Sequence, residues 1–153
     1  AELHDFAARL GLRRMSFQGD HYDIPAEIRD RALRLGARAV EGRDLVQSLR
    51  LADLRLRASE RPGRWERIAT WEANGRAPDL TGRAPRGLVE ALDRCVKADW
   101  STATVTLYRR PAESAVVVAD DGGLVLVGSV PKGVEWRYTE GRVLELLSEG
   151  DDR

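Results

Sequence analysis

The segment Phe17-Gln18-Gly19-Asp20-His21-Tyr22-Asp23 gathers the residue types best suited to moving a proton or holding a ligand. His21 and Asp23 lie two positions apart, a spacing that lets an imidazole and a carboxylate share a proton or a metal ion. These are the candidate catalytic residues. Arg14, Gln18 and Tyr22 lie close enough in sequence to orient a polar ligand and are the candidate binding residues. Each residue also has a purely architectural assignment: Asp23 precedes Pro25 and can cap a helix, His21 can satisfy a loop carbonyl, and Phe17 and Tyr22 can be core. His4 is the other histidine; it falls off the apolar stripe of its helix and reads as a surface residue. The chain contains no glycine-rich phosphate loop, nucleophile elbow or paired metal-ligand motif, so most named enzyme classes lose support. Neither a metal nor a cofactor can be assigned.

The elements that must position this loop follow from apolar spacing. Leu3, Phe6, Ala7 and Leu10 fall at i, i+3, i+4 and i+7, which predicts a helix over 2–10 closed by Gly11. Leu12–Gln18 reads as a strand. Pro25 suits the first turn of a second helix lined by Ile28, Ala32 and Leu35 and closed by Gly36. Ala37–Glu41 reads as the next strand, and Asp44–Arg57 as a third helix. Helix, glycine, strand and loop in this order are the grammar of a parallel α/β unit, in which ligands bind where a strand's carboxyl end meets the next helix N-terminus. The loop at 17–23 holds that position, and the free N–H groups of the following helix suit an anion.

Residues 59–86 change character. Three prolines and three glycines interrupt them, and Gly75-Arg76-Ala77-Pro78 recurs as Gly82-Arg83-Ala84-Pro85. They read as a connector with a short helix around Trp65, Ile68 and Trp71. Beyond it, Leu88, Leu92, Cys95 and Val96 stripe a helix that ends near Trp100. Ala103–Tyr108, Ala115–Ala119, Leu124–Val130 and Val134–Tyr138 then read as strands, joined by turn chemistry at Asp121-Gly122-Gly123 and Pro131-Lys132-Gly133. Arg142–Ser148 reads as a last short helix. The expected class is mixed α/β, an N-terminal helix-strand unit (1–58) followed by a C-terminal helix plus four-stranded antiparallel meander (87–153). Val105, Val116, Val118, Leu124 and Leu126 are the expected core.

At 153 residues the chain suits one ordinary domain or two small halves, and 42% hydrophobic with 33% charged residues is globular composition. No run approaches the roughly 20 apolar residues of a membrane span, and the charged start (Glu2, His4, Asp5, Arg9) lacks a signal-peptide core. No membrane partner and a cytoplasmic location are therefore expected. Cys95 is the single cysteine, which excludes an internal disulfide and suits a reducing compartment. All but Lys97 and Lys132 of the 25 basic residues are arginine, and 25 acidic residues balance them. Glu and Asp interleave the run Arg50, Arg55, Arg57, Arg61, Arg64 and Arg67, so it reads as a solvated face more readily than as a phosphate track.

The stretch ELHDFAARLGLRRMSFQGDHYDIPAEIRDRALRLGARAV (residues 2–40) resembles a small bacterial and phage domain of unknown function. In that family a helix opening with Glu-Leu-His is followed by Gly-Leu-x-Arg, an aromatic-Gln pair, His-Tyr-Asp and Gly-Ala-x-x-Val. The resemblance brings no activity with it. It implies a portion ahead of residue 1, with an upstream Tyr-Val-Asp strand and a second strand bearing His and Ala-Asp, whose Asp and His would complete a pocket with His21 and Asp23. Three functions remain. The first is an accessory interaction module whose meander offers an edge strand to a protein partner. The second is a hydrolase or ligand-binding protein using the His21/Asp23 loop on a phosphorylated or nucleic-acid substrate. The third is nucleic-acid binding through the arginine-rich middle.

Overall fold

Ala115 to Ala119 is apolar on both alternating sets of side chains, and such a run suits a strand covered on both faces. In the computed structural model, which describes residues 2–72 and 74–150, it forms β4 (Glu113–Ala119) at the centre of a five-stranded antiparallel sheet. The order is β1 (Glu66–Trp71), β3 (Thr104–Arg110), β4, β7 (Val143–Glu149) and β6 (Val134–Thr139). Two short strands, β2 (Val96–Lys97) and β5 (Val125–Leu126), pair separately. The helices are α1 (Glu2–Arg9), α2 (Ala26–Arg34), α3 (Gly42–Leu51) and α4 (Arg86–Cys95), so the protein is mixed α/β.

Register decides which side chains share a face. Val105 opposes Val118, Leu107 opposes Val116, and these continue into Leu144 and Leu146. That face packs on Leu88, Ala91 and Leu92 of α4 to make the main core. The opposite face carries Val117, Glu145 and Arg137 in one row and Ala115, Leu147 and Glu135 in the next. The N-terminal segment covers it, as the bonds of Arg13 and Arg14 to Glu145 and Glu135 show. A second, smaller cluster of Ala7, Leu10, Leu12 and Ala32 holds α1 against α2. Val105, Val116, Val118 and Leu124 are buried as expected, while Leu126 is half-buried against the core.

Several local expectations are corrected. Arg142–Ser148 is not a helix; residues 143–149 form the strand β7, paired with β4 on one edge and β6 on the other, while α4 and the N-terminal segment cover its two faces. The turn before it is built by Glu140 and Gly141, both at positive φ (54 and 68), the conformation of a tight hairpin turn. Trp65, Ile68 and Trp71 do not make a helix; residues 66–71 are the edge strand β1. The strand expected at 124–130 shrinks to two residues and leaves the meander to pair with β2. Leu12–Gln18 forms a 3₁₀ turn (Arg14–Ser16) and an isolated bridge, and Ala37–Glu41 forms no strand. Strand propensity yields a strand only beside a partner, and no strand lies against either segment. The third helix ends at Leu51, where the chain turns through Asp53 at φ 53.

Val118→Asp places an unpaired charge in the main core and is expected to destabilise the fold by on the order of 4 kcal/mol. Val125→Asp makes the same chemical change on a side chain 50% exposed, and should shift stability by no more than about 0.5 kcal/mol. Denaturant melts of both variants check this; an unchanged midpoint for Val118→Asp would remove the core assignment.

Candidate functional site

The site begins at a buried carboxylate on the sheet. Glu145 on β7 is fully buried and accepts hydrogen bonds from Arg13 Nε (3.1 Å), the Arg14 N–H (2.7 Å) and the Met15 N–H (3.3 Å). The three donors fix the 3₁₀ turn on the sheet, and the Trp65 indole N–H adds a bond to the Met15 carbonyl (2.9 Å). From the turn the chain runs into Phe17, which forms an antiparallel bridge with Tyr22, while the Gln18 N–H donates to the His21 carbonyl (2.9 Å). The loop between them is tight. Gly19 sits at φ 94, and a Cβ there would stand 2.5 Å from Leu56 Cδ1 and 2.8 Å from Pro62 Cδ, so glycine is what lets the loop press on residues 56–62.

Asp20 is the pivot of this loop. Its side chain is fully buried; Oδ1 accepts from His21 Nδ1 at 2.5 Å, and Oδ2 accepts from Arg55 Nη1 at 2.9 Å and from the Leu56 N–H at 3.2 Å. Burial opposes ionisation, but the bonds from His21 and Leu56 and the Arg55 charge outweigh it and hold the Asp20 carboxyl below the ordinary carboxylate range. An ionised carboxylate oxygen only accepts, so Nδ1 of His21 carries a proton and Nε2 is the nitrogen left for chemistry. Nε2 lies 3.5 Å from Oδ1 of the exposed Asp23. A buried acid that orients an imidazole is the arrangement used to place a general base or a metal ligand. Among the described residues no three His, Cys, Asp or Glu side chains converge to hold a metal ion.

The other candidates gather elsewhere. The Tyr22 hydroxyl hydrogen bonds to His4 Nδ1 (2.8 Å), and the His4 ring stands edge-on to Phe17 at 4.6 Å. Arg137 donates to the carbonyls of His4 and Leu12, at 2.8 Å each. Arg14 donates through Nε to Glu135 (2.9 Å), while its Nη1 is buried with no hydrogen-bond partner. Burial and the neighbouring Arg14 lower the His4 pKa from its ordinary value, whereas burial raises that of Tyr22. His21 and Asp23 are thus brought together, Arg14 and Tyr22 join a second cluster, and Gln18 reaches His21 through its backbone.

His4 is not a plain surface residue but half-buried and hydrogen-bonded to Tyr22. Asp23 does not cap α2, whose N-cap position is Pro25 with no side-chain cap. Asp20, to which the sequence assigns no role of its own within the loop, is the residue that positions His21. The available signal was an acid adjacent to the histidine in a glycine turn.

A third feature lies beside these clusters. Among the described residues, the backbone groups of Arg38, Ala39 and Val40 make no hydrogen bond within the protein. Around them α3 buries none of its residues, although Leu45, Val46 and Leu49 line one face of it. Of the twelve large hydrophobic side chains that stand exposed among the described residues, seven fall within residues 24–54. A groove between α1 and residues 35–37 is lined by Leu3, Phe6, Leu35 and Ala37 together with the charged Glu2, Asp5 and Arg9.

Residues 1–52 match the family described as Protein of unknown function (DUF4031). The match takes in α1, α2, α3, both polar clusters except for the sheet residues and Arg55, and the unpaired segment at 38–40. No curated protein and no solved structure matches the chain.

Two pH dependences follow. A depressed Asp20 pKa contributes stability that is present above the ordinary carboxylate value and is lost as pH falls through the folded-state value. Asp20→Asn is therefore expected to cost about 2 kcal/mol at neutral pH, with the gap to the parent closing as the pH falls below the ordinary carboxylate range. The depressed His4 pKa acts in the same direction: the unfolded chain binds the proton first, so stability falls as pH drops through the imidazole range. Melting curves from about pH 8 to about pH 5 should show this loss, and His4→Gln should flatten it; parallel curves for the two proteins would refute the burial of His4.

Proposed function

We propose that the protein is an interaction module that takes an extended segment of another polypeptide onto residues 38–40. The observation that carries this reading is the unpaired backbone of Arg38, Ala39 and Val40, flanked in the chain by exposed Leu35 and Leu45 and carrying the exposed Val40 side chain. Strand addition needs free N–H and C=O groups for affinity and neighbouring apolar side chains for specificity, and both are found at this one place. The sequence Ala37–Glu41 has strand character without an intrachain strand to pair with. The groove between α1 and residues 35–37, which ends one residue before this segment in the chain, offers Leu3, Phe6 and Leu35 to incoming apolar side chains.

A capped peptide alternating valine and threonine serves as probe, with fluorescence anisotropy as readout. Val40→Asp and Leu45→Asp change exposed side chains (51% and 48%) and should leave the melting temperature nearly unchanged. Each is expected to weaken binding about tenfold, a loss of about 1.4 kcal/mol. N-methylation of alternate peptide amides should abolish it, because strand pairing uses those groups. Equal affinity for the methylated peptide would exclude strand addition, and light scattering that shows the chain pairing with itself would replace the foreign partner by a second copy.

The Asp20–His21–Asp23 arrangement supports a second reading, in which His21 Nε2 acts on a phosphorylated or nucleic-acid substrate as acid, base or metal ligand. His21→Ala should then remove activity against a phosphodiester panel while leaving stability nearly intact; Asp20→Asn should remove it only in part, and with the loss of stability given above.

A further inference from the structure

On the sheet face opposite the N-terminal segment, a cavity of about 890 Å³ opens between β1, α4 and the loop before α4. Its charged lining is unbalanced. Arg83, Arg86, Arg94 and Arg109 face it with only Glu90 and Asp93 as acids. Arg94 is already paired with Glu90 through Nη1 at 2.7 Å. Arg83, Arg86 and Arg109 against Asp93 leave a surplus of two positive charges.

The loop that supplies Arg83 is the second Gly-Arg-Ala-Pro, a repeat that neither reading above uses. Gly82 takes φ 72, and Pro85 becomes the N-cap of α4 with no side-chain cap. The Leu88 and Val89 N–H groups bond back to the Pro85 carbonyl, so the earlier N–H groups of the first turn point out with the positive end of the helix dipole. Arg109 donates through Nη2 to the Arg83 carbonyl (2.9 Å), which ties β3 to this loop, while its Nε is buried with no hydrogen-bond partner. The Arg83 guanidinium lies over the Trp71 ring, 5.7 Å from its centre. Beyond the charges the lining turns apolar at Ile68, Ala69 and Val89.

We propose that this cavity binds a small organic phosphate, with the phosphate at Arg83, Arg86 and Arg109 and the organic part on Ile68 and Val89. A phosphate monoester carries close to two negative charges at neutral pH and matches the surplus of two, where a carboxylate would neutralise half of it. Arginine forks and helix N–H groups are the donors that suit its oxygens. The volume falls within the range of small-molecule sites.

The test titrates the full chain with inorganic phosphate, adenosine monophosphate and glucose 6-phosphate at constant ionic strength, by calorimetry and by tryptophan emission. At least one organic phosphate should bind more tightly than inorganic phosphate, and which one does so identifies the organic part. Arg83 and Arg86 are exposed, so Arg83→Gln and Arg86→Gln should fold normally; each is expected to weaken binding about tenfold or more. Arg94→Gln, whose charge Glu90 already neutralises, should change it less than about twofold. Binding no tighter than that of inorganic phosphate overturns the proposal, and so does an Arg94→Gln loss equal to that of Arg86→Gln.

Discussion

The whole N-terminal half hangs on one carboxylate. Glu145 lies on a central strand and is fully buried, and an unpaired charge there would be among the costliest features a small fold could carry. Arg13 Nε and the N–H groups of Arg14 and Met15 supply the partners, and Arg137 stands opposite it on β6. That requirement dictates the 3₁₀ turn at Arg14–Ser16. The turn sends Phe17 back toward His4 and Tyr22, and brings the Arg14 side chain onto Glu135. Once Phe17 and Tyr22 are bridged, Asp20 and His21 occupy the tip between them.

Buried carboxylates recur as latches elsewhere. Asp20 joins the 17–22 loop to Arg55 and Leu56 after α3, and Asp120 accepts from the Asp99 and Gly122 N–H groups and from the Thr102 hydroxyl, closing the loops at one end of the sheet. The reason lies in the division of apolar residues. Leu and Val from α4 and the sheet build one large core, but the cluster under α1 and α2 amounts to Ala7, Leu10, Leu12 and Ala32. A cluster that small stabilises little by burial alone, so directed charge-assisted bonds hold the N-terminal segment in place.

The sequence made legible what depends on local pattern and hid what depends on partners. The helices at 2–9, 26–34 and 86–95 follow from apolar spacing and flanking glycine or proline. β7 was missed because Leu144 and Leu147 fit a helical period and Glu145 sits where a solvent-facing residue would sit in a helix. Only the buried donors of Arg13–Met15 explain a glutamate in a strand covered on both faces. Tyr22 and Arg14 were assigned to the His21 loop because they are near it in sequence. Their partners, His4, Glu135 and Arg137, come from 18 to more than 100 positions away, a separation that no local spacing encodes. Asp20 was overlooked for a related reason: its value comes from Arg55 and Leu56, which loop closure alone brings to it.

The same contrast gives meaning to residues 37–41. They carry strand character, yet the chain supplies no strand beside them, and the backbone of Arg38–Val40 stays unpaired. An unpaired extended segment flanked by leucines would ordinarily invite indiscriminate association. Three features oppose that. The open stretch is only three residues long, so an incoming chain gains few backbone bonds. Arg38 and Glu41 place charges of opposite sign at its two ends, which penalises any segment lacking the complementary pair in register. Gly36, at φ 102, and the start of α3 at Gly42 stop the pairing from spreading in either direction. In the proposed role, a short edge guarded in this way would discriminate by register and charge, because its backbone bonds are too few to hold a partner without its side chains.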